Sequence, residues 1–264
     1  MEGNLRPAAR HGGAAAPVQR RLRPGEAADA GPAQQGPGRA APVLLLLVPG
    51  GRGHPPVRAV RGLAAGPRDV SALALPGFGR GEPLPETADA VVAAQAEAVA
   101  KAADGQPIVL LGSSAGGWFA HAAAGHLERM GIRPTAVVLV DTYVPKSSIL
   151  NQFGLSLMDG MTEREGVFVT MDDARLSAMG WYLNLFGAWD PEPIETPTLL
   201  VRALEPLSTG SLKLEELPDW RSFWELPHDI VDVRGNHFTM MEDHSLPTAQ
   251  AIEDWLERLE RDGA

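Results

Sequence analysis

The sequence predicts an α/β fold: a mostly parallel sheet with helices on both faces and a helical insertion late in the chain. Three observations predict it. From Ala41 onward, apolar runs of strand length alternate with longer segments of helical spacing. The strands read as near-continuous apolar runs, the pattern of a sheet covered on both sides. A length of 264 residues suits one large α/β domain with a proper core.

The elements follow in order. Val43 to Val48 is an unbroken apolar run ending in Pro49-Gly50-Gly51, a buried strand entering a tight loop. Residues 57–65 have the spacing of a short helix, and residues 69–75 form a second strand. Thr87 to Asp104 is Ala-rich, with Val91, Val92, Gln95, Ala98, Val99 and Ala102 at helical spacing, and stops at Gly105 before Pro107. Residues 108–111 are a third strand, 115–130 a helix closed by Gly131, and 136–140 a fourth strand. Residues 197–203 and 229–233 are strand-like, and 246–259 form a last helix with Ile252, Trp255, Leu256 and Leu259 on one stripe. The alternation breaks at residues 146–190. That stretch holds six of the fifteen aromatic residues and four of the eight methionines, too apolar for a disordered loop, so a folded helical insertion is expected.

Charge and composition separate a tail from this domain. Residues 1–42 carry six Arg against three acids, a balance of +3, which leaves −13 on the remainder of a chain whose net charge is −10. They are dominated by Ala, Gly and Pro and cannot bury enough apolar surface to offset ordering entropy. Residues 1–41 are therefore expected to be a linker or disordered, and residues 42–264 the folded domain. The acidic balance argues against nucleic acid. The longest apolar run is far short of the ~20 residues of a membrane span, and no secretory signal is visible, so a soluble, cytoplasmic protein is expected. The absence of cysteine excludes disulfides, thiolate metal sites and a cysteine nucleophile. No metal site is expected.

The stretch from Ile108 to Gly117, I-V-L-L-G-S-S-A-G-G, holds a G-x-S-x-G motif between an apolar strand and a helix. A serine on such a sharp strand-to-helix turn is strained, and glycines flank it because side chains there would collide as the two elements converge. The turn lifts the hydroxyl of Ser114 clear of the sheet. The helix N-terminus and the backbone N–H of Ala115 are placed to stabilise an oxyanion. The second oxyanion donor is expected from the loop after the first core strand, through the backbone N–H of Gly51.

A serine needs a base, and of seven histidines His237 fits best. It follows the strand at 229–233 and precedes the last helix, at the carboxyl end of the sheet where α/β folds collect functional groups. The order serine then histidine fits an α/β-hydrolase. His121 and His126 lie along the helix after Ser114, His228 opens its strand at the opposite end of the sheet, and His244 belongs to the start of the last helix. Two acids end strands, Asp141 and Glu205. Asp141 lies 27 residues after Ser114, at the end of the next strand in sequence and hence of its expected neighbour. From there it can fix the imidazole tautomer, and it is the assigned acid.

G-S-S-A-G-G, V-V-L-V-D-T-Y, M-D-D-A-R-L-S-A-M-G-W-Y, P-T-L-L-V-R-A-L-E-P and G-N-H-F-T-M-M together resemble the chain-terminating thioesterase domain of modular polyketide synthases, over roughly residues 42–260. The first motif is shared by many hydrolases; V-D-x-Y and M-D-D-x-R-L are more particular. The resemblance implies an α/β-hydrolase with a helical lid after the acid-bearing strand. It implies that Ser114 takes a polyketide acyl chain from the phosphopantetheine arm of an acyl carrier protein, with no cofactor of its own, and releases it to water or to a hydroxyl of the chain. Stand-alone editing thioesterases usually carry the acid after the later strand, so Asp141 speaks for the chain-terminating kind. The tail shows little of the helix pair that dimerises several members, and a homodimer stays open. An editing thioesterase or serine esterase of the same fold, and a non-enzymatic relative acting as a binding module, are the rival readings. Within the insertion, Met179, Tyr182, Leu183 and Phe186 form a stripe expected to face inward, either to line a substrate channel or to serve as the packed core of the lid. Trp181 and Trp189 are expected nearer its edge.

Overall fold

The computed structural model describes residues 70–164, 172–207 and 220–262, together with the strands at 19–21 and 43–48. Among these residues, seven strands form one sheet: β1 (Gln19–Arg21), β2 (Val43–Val48), β3 (Val70–Ala74), β4 (Ile108–Ser113), β5 (Ala136–Val140), β6 (Thr198–Ala203) and β7 (Asp229–Val233), in the order β1-β3-β2-β4-β5-β6-β7. All neighbours from β3 to β7 run parallel. Only β1 is antiparallel, with Gln19 opposite Leu73 and Arg21 opposite Ser71. β1 lies inside the segment expected to be linker throughout. Edge pairing uses the backbone alone, so a segment without large apolar side chains can still satisfy the outer N–H and C=O groups of β3. The expected helix at 57–65 and the loop at 49–53 lie outside the described residues.

Alternation of side chains along the central strands divides the core in two. Ile108, Leu110, Val137, Leu139 and Leu200 face one side of the sheet, where Val91, Val99, Phe119, Leu127 and Phe186 cover them. Val109, Leu111, Val138, Val140, Leu199 and Val201 face the other, covered by Met240, Ile252, Trp255 and Leu256. Helices α1 (Ala88–Ala103), α2 (Gly116–Arg129) and α4 (Asp173–Phe186) pack on the first face, and α5 (Ser245–Asp262) on the second. Thr87 caps α1 by accepting the N–H of Ala90 at 3.1 Å. Asp104, with φ of 47°, and Gly105, with φ of 78°, end it in left-handed conformations.

Among the described residues, the region expected as one insertion holds two helices with different duties. Helix α3 (Ser148–Glu163) comes first. Helix α4 then supplies what the parallel pair β5–β6 needs in any case, a crossover packed on the sheet. Asp172 caps it, accepting the N–H of Arg175 at 3.0 Å. Its buried positions are Ala178, Tyr182 and Phe186, one helical turn apart. Tyr182 stacks on Phe78 at 5.8 Å, meets Phe119 edge-on at 5.6 Å and donates its hydroxyl to the carbonyl of Pro76. Phe186 packs on Phe119 at 4.4 Å and on Trp118 at 6.1 Å. The expected stripe is therefore turned by part of a residue step. Once Tyr182 and Phe186 are seated on Phe119, Leu183 points away and is 44% exposed. Met179 is only partly buried against the same cluster.

His121 is enclosed on the same face, 2% exposed between Trp189 and Trp224. Burial pushes its pKa down from 6.5 to about 4, with the Glu128 carboxylate opposing. The folded protein thus holds a neutral imidazole that the unfolded chain protonates at higher pH. Stability is present above pH 6.5 and is lost as pH falls towards 4, by roughly 3 kcal/mol in full. Unfolding midpoints measured between these pH values should fall more steeply for the native chain than for His121→Phe; equal slopes would show that His121 carries no such linkage. Phe186→Ala should cost about 3–5 kcal/mol in chemical denaturation, as loss of a buried aromatic side chain does, and a loss below about 1 kcal/mol would refute its place in the core.

Candidate active site

The carboxyl ends of β4, β5, β6 and β7 carry the site. Ser113 stands opposite Val140 in register, so Ser114 and Asp141 leave adjacent strands side by side. Ser114 has φ of 55° and Asp141 φ of 43°, both in the left-handed region that non-glycine residues avoid. The sharp turn at Ser114 needs close approach of strand and helix. A Cβ at Gly112 would lie 2.1 Å from the carbonyl oxygen of Gly116, and one at Gly117 would meet the hydroxyl of Thr142 at the same distance. The turn is held by Ser114 N–H donating to Val140 O at 2.8 Å and by Thr142 Oγ1 donating to Ser114 O at 3.0 Å. Ala115 is the residue before α2, where first-turn N–H groups have no intrahelical acceptor.

Asp141 is 2% exposed. Its backbone N–H donates to Val201 O, its Oδ1 accepts the N–H of Ala203 at 3.4 Å, and its Oδ2 pairs with His237 Nδ1 at 2.8 Å. The histidine loop is built to present that ring. Gly235, with φ of 94°, turns the chain out of β7. Asn236 then braces the turn, its Oδ1 accepting the N–H groups of Phe238 and Thr239 while its own N–H donates to Thr239 Oγ1. With Nδ1 held by the carboxylate, the imidazole keeps Nε2 for proton transfer. Glu205 is engaged elsewhere: its backbone N–H donates to Gly235 O, and its Oε1 accepts the N–H of Gly235 at 3.3 Å. It supports the loop and is not the partner of the imidazole. Among the described residues, the Ser114 hydroxyl and His237 do not hydrogen-bond to each other, a looseness common in a free site.

A cleft beside the pair is walled by Tyr143, Leu157, Leu207 and Trp220, together with Asp141, Glu205 and His237. Leu157 comes from α3, so this helix covers the site, while Tyr182 and Phe186 lie in the core. Of the two alternatives for the stripe, Tyr182 and Phe186 take core packing, because their rings are taken up by Phe78, Phe119 and Trp118, and Met179 is partly buried against the same cluster. Trp181 is 38% exposed, with its indole N–H donating to Pro85 O. Gly51 lies outside the described residues. His228 donates from Nδ1 to Leu226 O at 2.7 Å just before β7, and His244 precedes α5, with Thr248 N–H donating to its carbonyl. Sequence reasoning passed over Thr142, Asn236 and Tyr143. The first two have readable signals: a hydroxyl residue directly after the acid, and an Asx residue directly before the base. Tyr143, whose hydroxyl donates to Trp220 O at 3.1 Å, has a partner too distant in sequence to be foreseen.

Comparison with known proteins gives the family and the fold. The family model for the thioesterase domain matches residues 63–256. Polyketide synthase GfsE of Streptomyces halstedii is 46% identical over 191 residues, 72% of this chain and 5% of that protein. Spectinabilin polyketide synthase system protein NorC of Streptomyces orinoci is 41% identical over 230 residues, covering 85% of this chain and 10% of that one. Erythronolide synthase EryA3 of Saccharopolyspora erythraea is 40% identical over 201 residues, 75% and 6% of the two chains. The chain thus spans a tenth or less of these relatives. Among solved structures, the thioesterase domain of NocB from the nocardicin cluster is 20% identical with a TM-score of 0.58, covering 81% of this chain and 93% of that one. The RedJ thioesterase of the prodiginine pathway in Streptomyces coelicolor is 22% identical with a TM-score of 0.56, covering 86% and 98%. These two show the fold, that of the α/β-hydrolases. By its matched residues, its fold and its paired acid and histidine, the chain belongs to the thioesterase domain family.

Proposed function

We propose that this chain is the release thioesterase of a modular polyketide synthase, working through Ser114, His237 and Asp141. The observation that carries the reading is the buried 2.8 Å hydrogen bond from His237 Nδ1 to Asp141, one strand away from the serine turn. Ser114 Oγ attacks the thioester carbonyl while His237 Nε2 takes its proton. The tetrahedral oxyanion is met by the N–H of Ala115 and, from the loop after β2, that of Gly51. Collapse breaks the C–S bond, and the imidazolium returns its proton to the departing thiol of the phosphopantetheine arm. Water or a hydroxyl of the acyl chain then attacks the acyl-serine ester, His237 takes the attacking proton, and the acid or lactone leaves with Ser114 restored. The identity of the relatives as polyketide synthases supports an acyl carrier protein as donor and a polyketide as acyl group. Helix α3, which brings Leu157 to the cleft, is the lid in this reading, and α4 belongs to the body of the domain.

Ser114→Ala should abolish release of an acyl carrier protein thioester and leave the fold intact. Intact-mass measurement with a fluorophosphonate should show one adduct on the native chain and none on the variant; an adduct on the variant would overturn the assignment. The acid is tested by a pair of substitutions. Asp141→Asn should lower turnover by up to ~10⁴-fold, through the wrong imidazole tautomer. Glu205→Gln should cost about tenfold or less, since it loosens only the loop's support. The reverse ranking would transfer the acid to Glu205.

A further inference from the structure

We propose that Arg164 is a positioning residue for His237, latching the C-terminal turn of the lid helix α3 onto the histidine loop. The inference rests on the reading of His237 as general base. Three contacts carry it. Arg164 Nε donates to both carboxylate oxygens of Glu242, at 3.1 and 3.3 Å. Its guanidinium lies over the ring of Phe238, 4.5 Å from the centroid. Its Nη1 donates to Gly160 O at 3.1 Å, which ties the same side chain back to α3. Phe238 in turn stands perpendicular to the His237 imidazole, with centroids 5.1 Å apart.

Phe238 is thus held between the helix and the imidazole. The notch that receives it is made by Gly160, where a Cβ would come within 2.4 Å of the ring. With the notch on one side and the guanidinium on its face, the phenyl ring has little freedom left. The imidazole, already fixed at Nδ1 by Asp141, is thereby limited in tilt as well. Arg164 and Glu242 are mostly shielded from water, with side chains 22% and 17% exposed, so the pair is less screened than a surface one. It joins two parts of the chain 78 residues apart. When α3 is docked, the base is aimed; when α3 lifts, Phe238 and the imidazole lose that support together.

Among the described residues, the charged and titratable groups around the imidazole are Asp141 and Tyr143 at the end of β5, Glu205 after β6, Arg164 at the end of α3, and Glu242 and His244 from its own loop, while Glu163, 3.8 Å from Arg164, is 78% exposed and so screened by water. Arg164 and Glu242 cancel as a pair. Removing Glu242 leaves the Arg164 charge, 4.5 Å from the Phe238 ring that itself stands 5.1 Å from the imidazole, and removing Arg164 leaves the Glu242 charge instead, so the unbalanced charge has opposite sign in the two cases.

The test is fluorophosphonate inactivation of the full chain and of Arg164→Met and Glu242→Gln, with rates followed as a function of pH and folding checked by thermal melting. Both variants should react about tenfold more slowly at neutral pH, as misplacement of a catalytic group predicts. The acid limb of the rate profile should move to higher pH in Arg164→Met and to lower pH in Glu242→Gln. A merely structural role would move neither limb, or both the same way, and either result overturns the inference, as do native rates in folded variants. If Arg164→Met does not fold, the direction of the limb in Glu242→Gln decides alone. A native chain that takes no label overturns the triad reading and this inference with it; a labelled native chain with unmoved variants overturns this inference only.

Discussion

A carboxylate buried at the end of a central strand is costly unless its charge is answered, and much of this structure is arranged to answer that of Asp141. Its two oxygens draw on two other elements: the N–H of Ala203 at the end of β6, and the imidazole of His237 in the loop after β7. Its backbone N–H is used by Val201. These bonds require the last three strands to end level, and the parallel register delivers that, with Val140 opposite Val201 and Ala203 opposite Val233. Thr142, the next residue, extends the same arrangement to the serine turn by donating to Ser114 O. The buried acid and the threonine that follows it therefore link the ends of four strands.

The same place stores backbone strain. Ser114 and Asp141 both have positive φ, a conformation that costs on the order of 1–3 kcal/mol each for a non-glycine residue. The offset comes from the strands that lead into them. Val109 to Leu111 on β4 and all of β5 are buried on both faces of the sheet, and each fully buried Val or Leu contributes about 1.5–3 kcal/mol. The strained residues sit where the best-packed strands stop, so the surrounding core can hold them in orientations that a loop could not. The backbone bonds Ser114 N–H to Val140 O and Asp141 N–H to Val201 O fasten each to its neighbour.

Much of this was legible in the sequence for a physical reason. The strands are buried on both faces and so announce themselves as apolar runs, and the glycines around Ser114 are demanded by steric contact, which leaves a fixed spacing. Asp141 was legible because it follows such a strand directly, and His237 because it lies in the short loop between β7, a mostly exposed strand, and the last helix. What was not legible depends on contacts between distant segments. The position of Asp141 beside the serine strand was readable, but the engagement of Glu205 with the backbone of Gly235 was not. The stripe of α4 was misplaced because helical spacing gives a set of faces, and only Phe78 and Phe119 decide which one turns inward. β1 had no side-chain signal, since its pairing is made by backbone alone.

The division of labour between α3 and α4 bears on how such a domain changes its acyl preference. A parallel β5–β6 pair cannot close without a crossover, so α4 is obliged to pack on the sheet, and its aromatic residues serve that end. Helix α3 carries no such obligation. Its first turn packs Leu150 on the core of the first face, and its later part meets the site, with Leu157 on the cleft, Gly160 beside Phe238 and Arg164 on Glu242. Its inner face therefore has two kinds of position. Gly160 and Arg164 are bound to the histidine loop, and a larger side chain at Gly160 would displace Phe238. Leu157 lines the cleft together with Tyr143 and Trp220, where exchanging one apolar side chain for another changes its width and leaves the Asp141–His237 hydrogen bond in place. Selectivity can thus drift at Leu157 and its facing aromatics while the last turn of α3 keeps the geometry of His237.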